Sequence, residues 1–135
     1  MPEGGALVSG VYELLSQGEV GPNHQDHPAR RQRKGGGGLA AYWATDAGLA
    51  LASAGVAAWG AEPPATNSTA SFSGCLDYIW YSRAHWEVVE ALELPYAWPA
   101  EGSSGDQNPL PPLPNEVFSS DHLPCGFTLR LLPER

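Results

Sequence analysis

The sequence predicts a small α/β fold, because one helical pattern lies near the N-terminus and two strand patterns lie in the second half. At 135 residues the chain has the length of one small domain or of a piece of a larger one, so the core it can bury is modest. Gly and Pro are frequent, with 16 and 13 copies, which indicates long loops. We therefore expect a few short elements joined by irregular chain.

The first element predicted is an amphipathic helix in the stretch LVSGVYELLSQG. Its apolar residues at helical spacing are Leu7, Val11, Leu14 and Leu15. Ser9 can cap the start of this helix and Gly18 can end it. The chain that follows has neither helical nor strand periodicity, so we predict a loop. Its His24, Asp26 and His27 are expected to be polar surface rather than a metal site, since they lack a third ligand at a defined spacing.

Residues 29–65 are predicted to be a low-complexity insertion rich in Gly and Ala. A basic run, Arg30 to Lys34, stands beside four glycines, which is typical of a solvated linker. The apolar stretch Leu39–Gly60 is long enough to span a bilayer. However, Ala and Gly add little transfer energy, and Asp46 would cost about 3 kcal/mol on insertion. No membrane association is expected.

Charge and cysteine content limit the function and the compartment. A net charge of −8 argues against a general nucleic-acid clamp, because binding of that kind needs clustered Lys and Arg. Cys75 and Cys125 have no metal or redox spacing, so both are expected to be buried thiols in a reducing compartment. The N-terminal residues lack the charge and the apolar run of a secretory signal. A cytoplasmic protein is expected, with the nucleus as the alternative.

Two strands are predicted around a chemically unusual acid. SGCLDYIWYS, residues 73–82, is aromatic and apolar, and predicts a buried strand with Cys75, Asp77 and Ile79 on one face. An acid among apolar neighbours costs several kcal/mol unless it is paired, so Asp77 needs a partner. GFTLRLL, residues 126–132, alternates apolar and polar residues and predicts a terminal strand with one wet face.

Between these two strands the pattern is less regular. HWEVVEALELP fits a strand or a helix, and we predict a strand because Pro95 ends it early. The Pro-rich connection Tyr96–Phe118 follows. Within it NPLPPLP, residues 108–114, could serve as a polyproline ligand for a binding domain, although such a loop is more often a mere connection.

Asp121 and His122 stand in the turn just before the last predicted strand. If this strand neighbours the strand of Asp77, that carboxylate can hydrogen-bond one imidazole nitrogen of His122 and leave the other facing a cleft. A carboxylate in this position fixes the tautomer and raises the basicity of a histidine that does acid–base chemistry. The same pattern also fits a turn cap formed by Ser120 and Asp121, with His122 a solvated surface residue.

Two motifs carry a family resemblance: TNSTASFSGCLDYIWYS, residues 66–82, and LPNEVFSSDHLPCGFTL, residues 113–129. Together they resemble the C-terminal part of the endonuclease/exonuclease/phosphatase superfamily, closest to the branch of carbon catabolite repressor-type deadenylases, nocturnin and Angel proteins. Residues 7–28 also resemble the helix and loop that follow the family's Gly-Asp-Phe-Asn motif. The resemblance implies three segments: the helix and loop of the nuclease-like domain in residues 1–28, the insertion in residues 29–65, and the C-terminal strands in residues 66–135.

The resemblance implies a Mg²⁺-dependent phosphohydrolase on a four-layered α/β sandwich, here incomplete. His122 would contact the scissile phosphate, Asp77 would orient its ring, and Asp121 would bind the metal or the attacking water. Asn67 would lie at the rim of the cleft, near the substrate. The substrate would be RNA, with poly(A) first, or a phosphorylated nucleotide, and phosphoryl transfer needs positioning and charge neutralisation above all.

The sequence also departs from the family. The Glu that binds the metal and the Gly-Asp-Phe-Asn motif are absent from the chain, so too few oxygen ligands remain for a firm Mg²⁺ site. We therefore expect a C-terminal fragment of a 3′-exoribonuclease lineage, whose activity in isolation is doubtful. The competing hypothesis is a non-catalytic remnant or interaction module that binds partners through its Pro-rich loop.

Overall fold

The computed structural model describes residues 9–27, 50–97 and 110–133. The chain divides into two compact units, Met1–Ala52 and Ser53–Arg135, and a two-residue strand, β1 (Ala52–Ser53), lies across the division.

The first unit contains helix α1, Gly10–Gln17. Ser9 caps its start, and the Ser9 hydroxyl accepts the N–H of Tyr12 at 3.2 Å. Gly18 ends it with a φ of 84°, where its N–H donates to the Leu14 carbonyl. A side chain is strained at this φ, so glycine is the residue that suits the position. The predicted helix and both of its caps are confirmed.

The loop after α1 makes polar contacts with the helix. The Gly10 N–H donates to Asp26 Oδ2 at 2.9 Å, which satisfies one of the free donors of the first turn. His24 Nδ1 accepts the N–H of Asp26 at 3.1 Å, and its Nε2 lies 3.6 Å from Glu13 Oε2. His27 is buried rather than on the surface. In the described part of the chain no group of three or more metal-binding side chains occurs.

The described residues of the second unit form one helix and five strands. These are α2 (Ala54–Trp59), β2 (Asn67–Ser68), β3 (Ser73–Gly74), β4 (Trp80–Tyr81), β5 (Trp86–Ala91) and β6 (Phe127–Leu131). Strands β2 and β3 pair antiparallel, as do β5 and β6. Because the described strands of this unit lie in such short ladders, the four-layered sandwich stays a prediction of the resemblance.

The single buried strand predicted over residues 73–82 is wrong. Residues 75–79 separate β3 from β4, and the N–H groups of Leu76 and Asp77 donate to the side chain of Thr66 rather than to a neighbouring strand. The expected alternation survives in part, since Leu76 and Tyr78 are exposed while Asp77 is partly buried. The Thr66 side chain therefore takes the place of a neighbouring strand as the hydrogen-bond partner of the backbone at Leu76 and Asp77.

The two longer strands, β5 and β6, are confirmed. Apolar residues face one another across the ladder on one side, with Trp86 opposite Leu131 and Val88 opposite Leu129. The other side is polar and carries an ion pair, in which Arg130 Nε lies 2.6 Å from Glu87 Oε1. An irregularity between Val88 and Glu90 shifts the register by one residue.

Part of the Pro-rich connection is core rather than a loose link. Leu110 and Leu113 are buried in a cluster with Ala65 and Leu123. The backbone is also fixed there, because the Leu113 N–H donates to the Ser68 carbonyl at 2.7 Å. The prolines at 111, 112 and 114 remain exposed. The sequence missed this anchoring because two isolated leucines among prolines have no period.

The boundary predicted at residue 65 does not coincide with the division in the structure. Residues 53–65 lie in the same unit as residues 66–135, and Ala54 and Ala65 are fully buried there. Helix α2 lies in this stretch, and the ring of its Trp59 is 5.1 Å from that of Phe127. Residues 29–49 lie outside the described residues. Within the described ranges, no helix has the length and apolar character needed to cross a membrane.

Candidate active site

Asp77 and His122 form a hydrogen-bonded pair. His122 Nδ1 lies 2.8 Å from Asp77 Oδ2, although the two residues are 45 positions apart in sequence. Both side chains are partly open to solvent, at 33% exposure for Asp77 and 39% for His122. The hydrogen bond expected from the sequence is present. Since Nδ1 faces the carboxylate, Nε2 is the ring nitrogen on the side away from it.

The strand arrangement that brings the pair together differs from the one expected. Strand β6 pairs with β5 and not with the segment of Asp77. His122 instead forms a single antiparallel bridge with Asn67. Asn67, which joins the two segments of the pair, therefore lies in β2, a strand that the sequence does not predict.

Thr66 and Asn67 hold the backbone on both sides of His122. The Leu123 N–H donates to the Thr66 carbonyl at 2.7 Å, just after the histidine. The Asn67 side-chain amide donates to the Asp121 carbonyl at 2.9 Å, just before it. Asn67 is only 4% exposed. Its side chain holds the turn before His122, and its expected place at the rim of the cleft, near the substrate, stays a prediction.

The Asp77 carboxylate has a second partner that sequence reasoning missed. The Thr66 hydroxyl donates to Asp77 Oδ2 at 2.7 Å. The sequence signal for this role was the position of Thr66 in the first family motif, immediately before Asn67. The spacing of Thr66 from Asp77 did not indicate that the two side chains meet. Ser120 also contributes, because its hydroxyl accepts the His122 N–H at 3.1 Å. The Ser120 part of the expected turn cap is therefore present together with the histidine–carboxylate pair, which the sequence posed as alternatives.

Electrostatics favour the charged form of the histidine. The hydrogen bond to Asp77 raises the pKa of His122 above its ordinary value of 6.5, and the negative charges of Asp77 and Asp121 add to this. The partial burial of the ring opposes the rise. A protonated imidazole held in one orientation can donate from Nε2 to an anionic oxygen. The arrangement is suited to stabilising negative charge on a phosphate.

The described residues do not by themselves fit a Mg²⁺ site. Asp77 Oδ2 already accepts hydrogen bonds from Thr66 and His122, and Asp121 is a single exposed carboxylate. Mg²⁺ is usually held by one or two carboxylates together with substrate phosphates and water. Asp121 can supply one such ligand, and the remaining ligands would have to come from other residues.

Both cysteines lie against the backbone of Asp77. Cys75 Sγ is 3.7 Å from the Asp77 carbonyl oxygen and Cys125 Sγ is 4.0 Å from it. Burial raises the pKa of the Cys75 thiol, and it raises the pKa of Cys125 to about 11. The cysteines are partly rather than fully buried. At neutral pH both are protonated, and so are weak nucleophiles.

We expect Cys125 to react with iodoacetamide at pH 8 about tenfold more slowly than free cysteine, because little thiolate forms when the pKa is so high. The measurement is a time course of alkylation mapped by mass spectrometry. The same chain in denaturant is the control, since unfolding removes the burial and should restore the rate of free cysteine. Equal rates in the folded and unfolded chain would contradict the burial of this thiol.

Ccr4 subunits of three species are similar to this chain over most of its length. The chain is 33% identical over 123 residues to the "CCR4-Not complex 3'-5'-exoribonuclease subunit Ccr4" of Kluyveromyces lactis, covering 87% of this chain and 13% of that protein. The same subunit of Neurospora crassa is 37% identical over 124 residues, covering 85% of this chain and 13% of that protein. That of Phaeosphaeria nodorum is 31% identical over 117 residues, covering 85% and 17%. The chain is a relative of Ccr4. The resemblance to CCR4-type deadenylases is confirmed.

The chain spans less than a fifth of the length of these Ccr4 subunits. No family model and no solved structure matches the chain. The match to the Kluyveromyces lactis subunit covers 87% of the chain, whereas the residues outside 29–65 make up less than three quarters of it. The match therefore includes part of residues 29–65, the segment predicted to be an insertion.

Proposed function

We propose that this chain forms part of a phosphodiester-hydrolysing site of the 3′-exoribonuclease type, with poly(A) RNA as substrate. The observation that carries the proposal is the hydrogen bond between Asp77 and His122 in a relative of Ccr4. Hydrolysis of a phosphodiester builds negative charge on the non-bridging oxygens, and a fixed cationic donor stabilises that charge.

Each residue has a separate task in the proposed reaction. His122 donates from Nε2 to a non-bridging oxygen of the scissile phosphate. Asp77 holds the ring through Nδ1, so that the donor is already oriented when the RNA arrives. Asp121 stands beside the histidine as a carboxylate for the attacking water or for a metal ion. Mg²⁺ would supply further neutralisation of charge, with ligands beyond those in the described residues.

The proposal is tested in a chimera in which this chain replaces the stretch of the Kluyveromyces lactis Ccr4 subunit that it matches. With Mg²⁺ and a 5′-labelled oligo(A), we expect shortening from the 3′ end. The His122→Ala chimera should lose this activity by about 10²-fold or more, because a positioned proton donor contributes that much. His85→Ala is the matched control, since His85 lies in an exposed turn and bonds to Ser82. The chain alone is expected to be slow at best.

Two outcomes would overturn the proposal. A chimera that folds, as judged by circular dichroism and its melting temperature, but leaves oligo(A) intact would exclude a competent site. Shortening that survives His122→Ala would assign the activity to other residues. The Pro-rich segment carries no second proposal, because Leu110 and Leu113 anchor it in the core of its own unit.

A further inference from the structure

We propose that Thr66 is a positioning residue that acts through Asp77 to hold His122 in one tautomer. This inference rests on the proposed function only for its effect on hydrolysis, since its effect on the ring of His122 is measurable without any activity. Thr66 is completely buried, which is unusual for a polar residue whose hydroxyl could otherwise bond to water.

The neighbours of the Thr66 hydroxyl determine its direction. Its oxygen accepts two backbone N–H groups, from Leu76 at 3.0 Å and from Asp77 at 3.2 Å. A hydroxyl has two acceptor positions and one donor, so both acceptor positions are occupied. The hydroxyl also interacts with the Cys75 thiol, but a carboxylate is the stronger acceptor, so the hydrogen points to Asp77 Oδ2, at 2.7 Å.

The Asp77 carboxylate links the Thr66 hydroxyl to the ring of His122. Asp77 Oδ2 receives the Thr66 hydroxyl and also faces His122 Nδ1 at 2.8 Å. An ionised carboxylate can only accept, so Nδ1 must carry a hydrogen. In the neutral ring the lone pair then lies on Nε2, and in the charged ring Nε2 is a donor. Thr66 fixes the carboxylate, and the carboxylate fixes the ring.

The backbone of Thr66 ties together the same two segments. Its N–H donates to the Gly74 carbonyl at 3.0 Å, just before the loop of Asp77, and its carbonyl accepts from Leu123, just after His122. One residue thus sets the separation of the two chain segments through its backbone and the orientation of the carboxylate through its side chain.

The test is the tautomer of His122 at alkaline pH, read from the ¹⁵N shifts of its two ring nitrogens in the full chain. The unmodified chain and Thr66→Ser should carry the hydrogen on Nδ1, because both retain the hydroxyl. Thr66→Ala should lose this preference and give a mixture of tautomers, because a carboxylate that Thr66 no longer holds can turn away from Nδ1. Thr128→Val removes a threonine hydroxyl from the exposed strand β6 and should leave the ring unchanged.

Thr66→Ala leaves two N–H groups without their acceptor and can unfold the unit, so a measurement on the unmodified chain is included. The buried Thr66 hydroxyl proton should exchange slowly and show a nuclear Overhauser effect to the His122 Nδ1 proton. A fast-exchanging hydroxyl without this effect would overturn the proposal, and so would an Nδ1 tautomer that persists in folded Thr66→Ala.

Hydrolysis in the Ccr4 chimera separates this inference from the proposed function. Thr66→Ala should lower the turnover of oligo(A) about 10- to 100-fold, and Thr66→Ser should restore most of it. If the tautomer responds to Thr66 while no variant hydrolyses RNA, the positioning role stands and the proposed function fails. If hydrolysis depends on His122 but neither the tautomer nor turnover responds to Thr66, the positioning role fails alone.

Discussion

Replacing Asp77 with asparagine is expected to return the pKa of His122 toward 6.5 and to remove the pH dependence that the pair gives to stability. The hydrogen bond to Asp77 makes the folded chain bind the His122 proton more tightly than the unfolded chain does. The stabilisation is therefore fully present below the unfolded pKa of about 6.5. It is lost as the pH rises through the raised pKa of the folded chain.

Urea denaturation at a series of pH values measures this effect, together with an NMR titration of the His122 ring. Stability of the unmodified chain should fall more steeply with rising pH above neutrality than that of Asp77→Asn. Glu87→Gln makes the same chemical change at the exposed ion pair with Arg130 and should leave the His122 titration unchanged. A His122 pKa that stays raised in Asp77→Asn would show that another group sets it.

The same substitution should lower the turnover of oligo(A) in the Ccr4 chimera by about 10²- to 10⁴-fold. Asparagine has nearly the shape of aspartate, but its amide can donate to Nδ1 and so favours the wrong tautomer. A large loss of turnover without a loss of folding would therefore separate the electrostatic role of Asp77 from its packing. Unchanged turnover would exclude Asp77 from the mechanism.

Leu113→Ala is expected to lower the free energy of unfolding by about 2–5 kcal/mol, the usual range for a buried leucine. Leu113 is 5% exposed and packs with Ala65, Leu110 and Leu123. Domains of this size are stable by only about 5–15 kcal/mol, so the loss is a large share of the total. Because this core adjoins Thr66 and Asn67 in sequence and space, the site should loosen with it.

The measurement is a urea denaturation curve for each variant. Val117→Ala is the matched control, because Val117 lies in the same connection but is 81% exposed. It should change the free energy of unfolding by less than about 0.5 kcal/mol. A loss below about 1 kcal/mol for Leu113→Ala would mean that the connection is a loose link, as the Pro-rich sequence suggested.

The sequence by itself determined the elements whose signals are local. Helix α1 follows from apolar spacing with Ser9 and Gly18 at its ends, because each cap bonds to a backbone group a few residues away. Strands β5 and β6 follow from alternation and from Pro95. The two motifs also identified the relationship to Ccr4 and singled out Asp77 and His122, because residue type and order are what such a resemblance rests on.

Only the tertiary structure decided how these residues are held. The contacts that build the site join distant positions: 45 residues separate Asp77 from His122, and 54 separate Asn67 from Asp121. Composition and periodicity describe neighbours in sequence, so they carry no information on which carbonyl a buried hydroxyl or amide will meet. For this reason the role of Thr66, the burial of Asn67 and the anchoring of Leu113 emerge only from the folded chain.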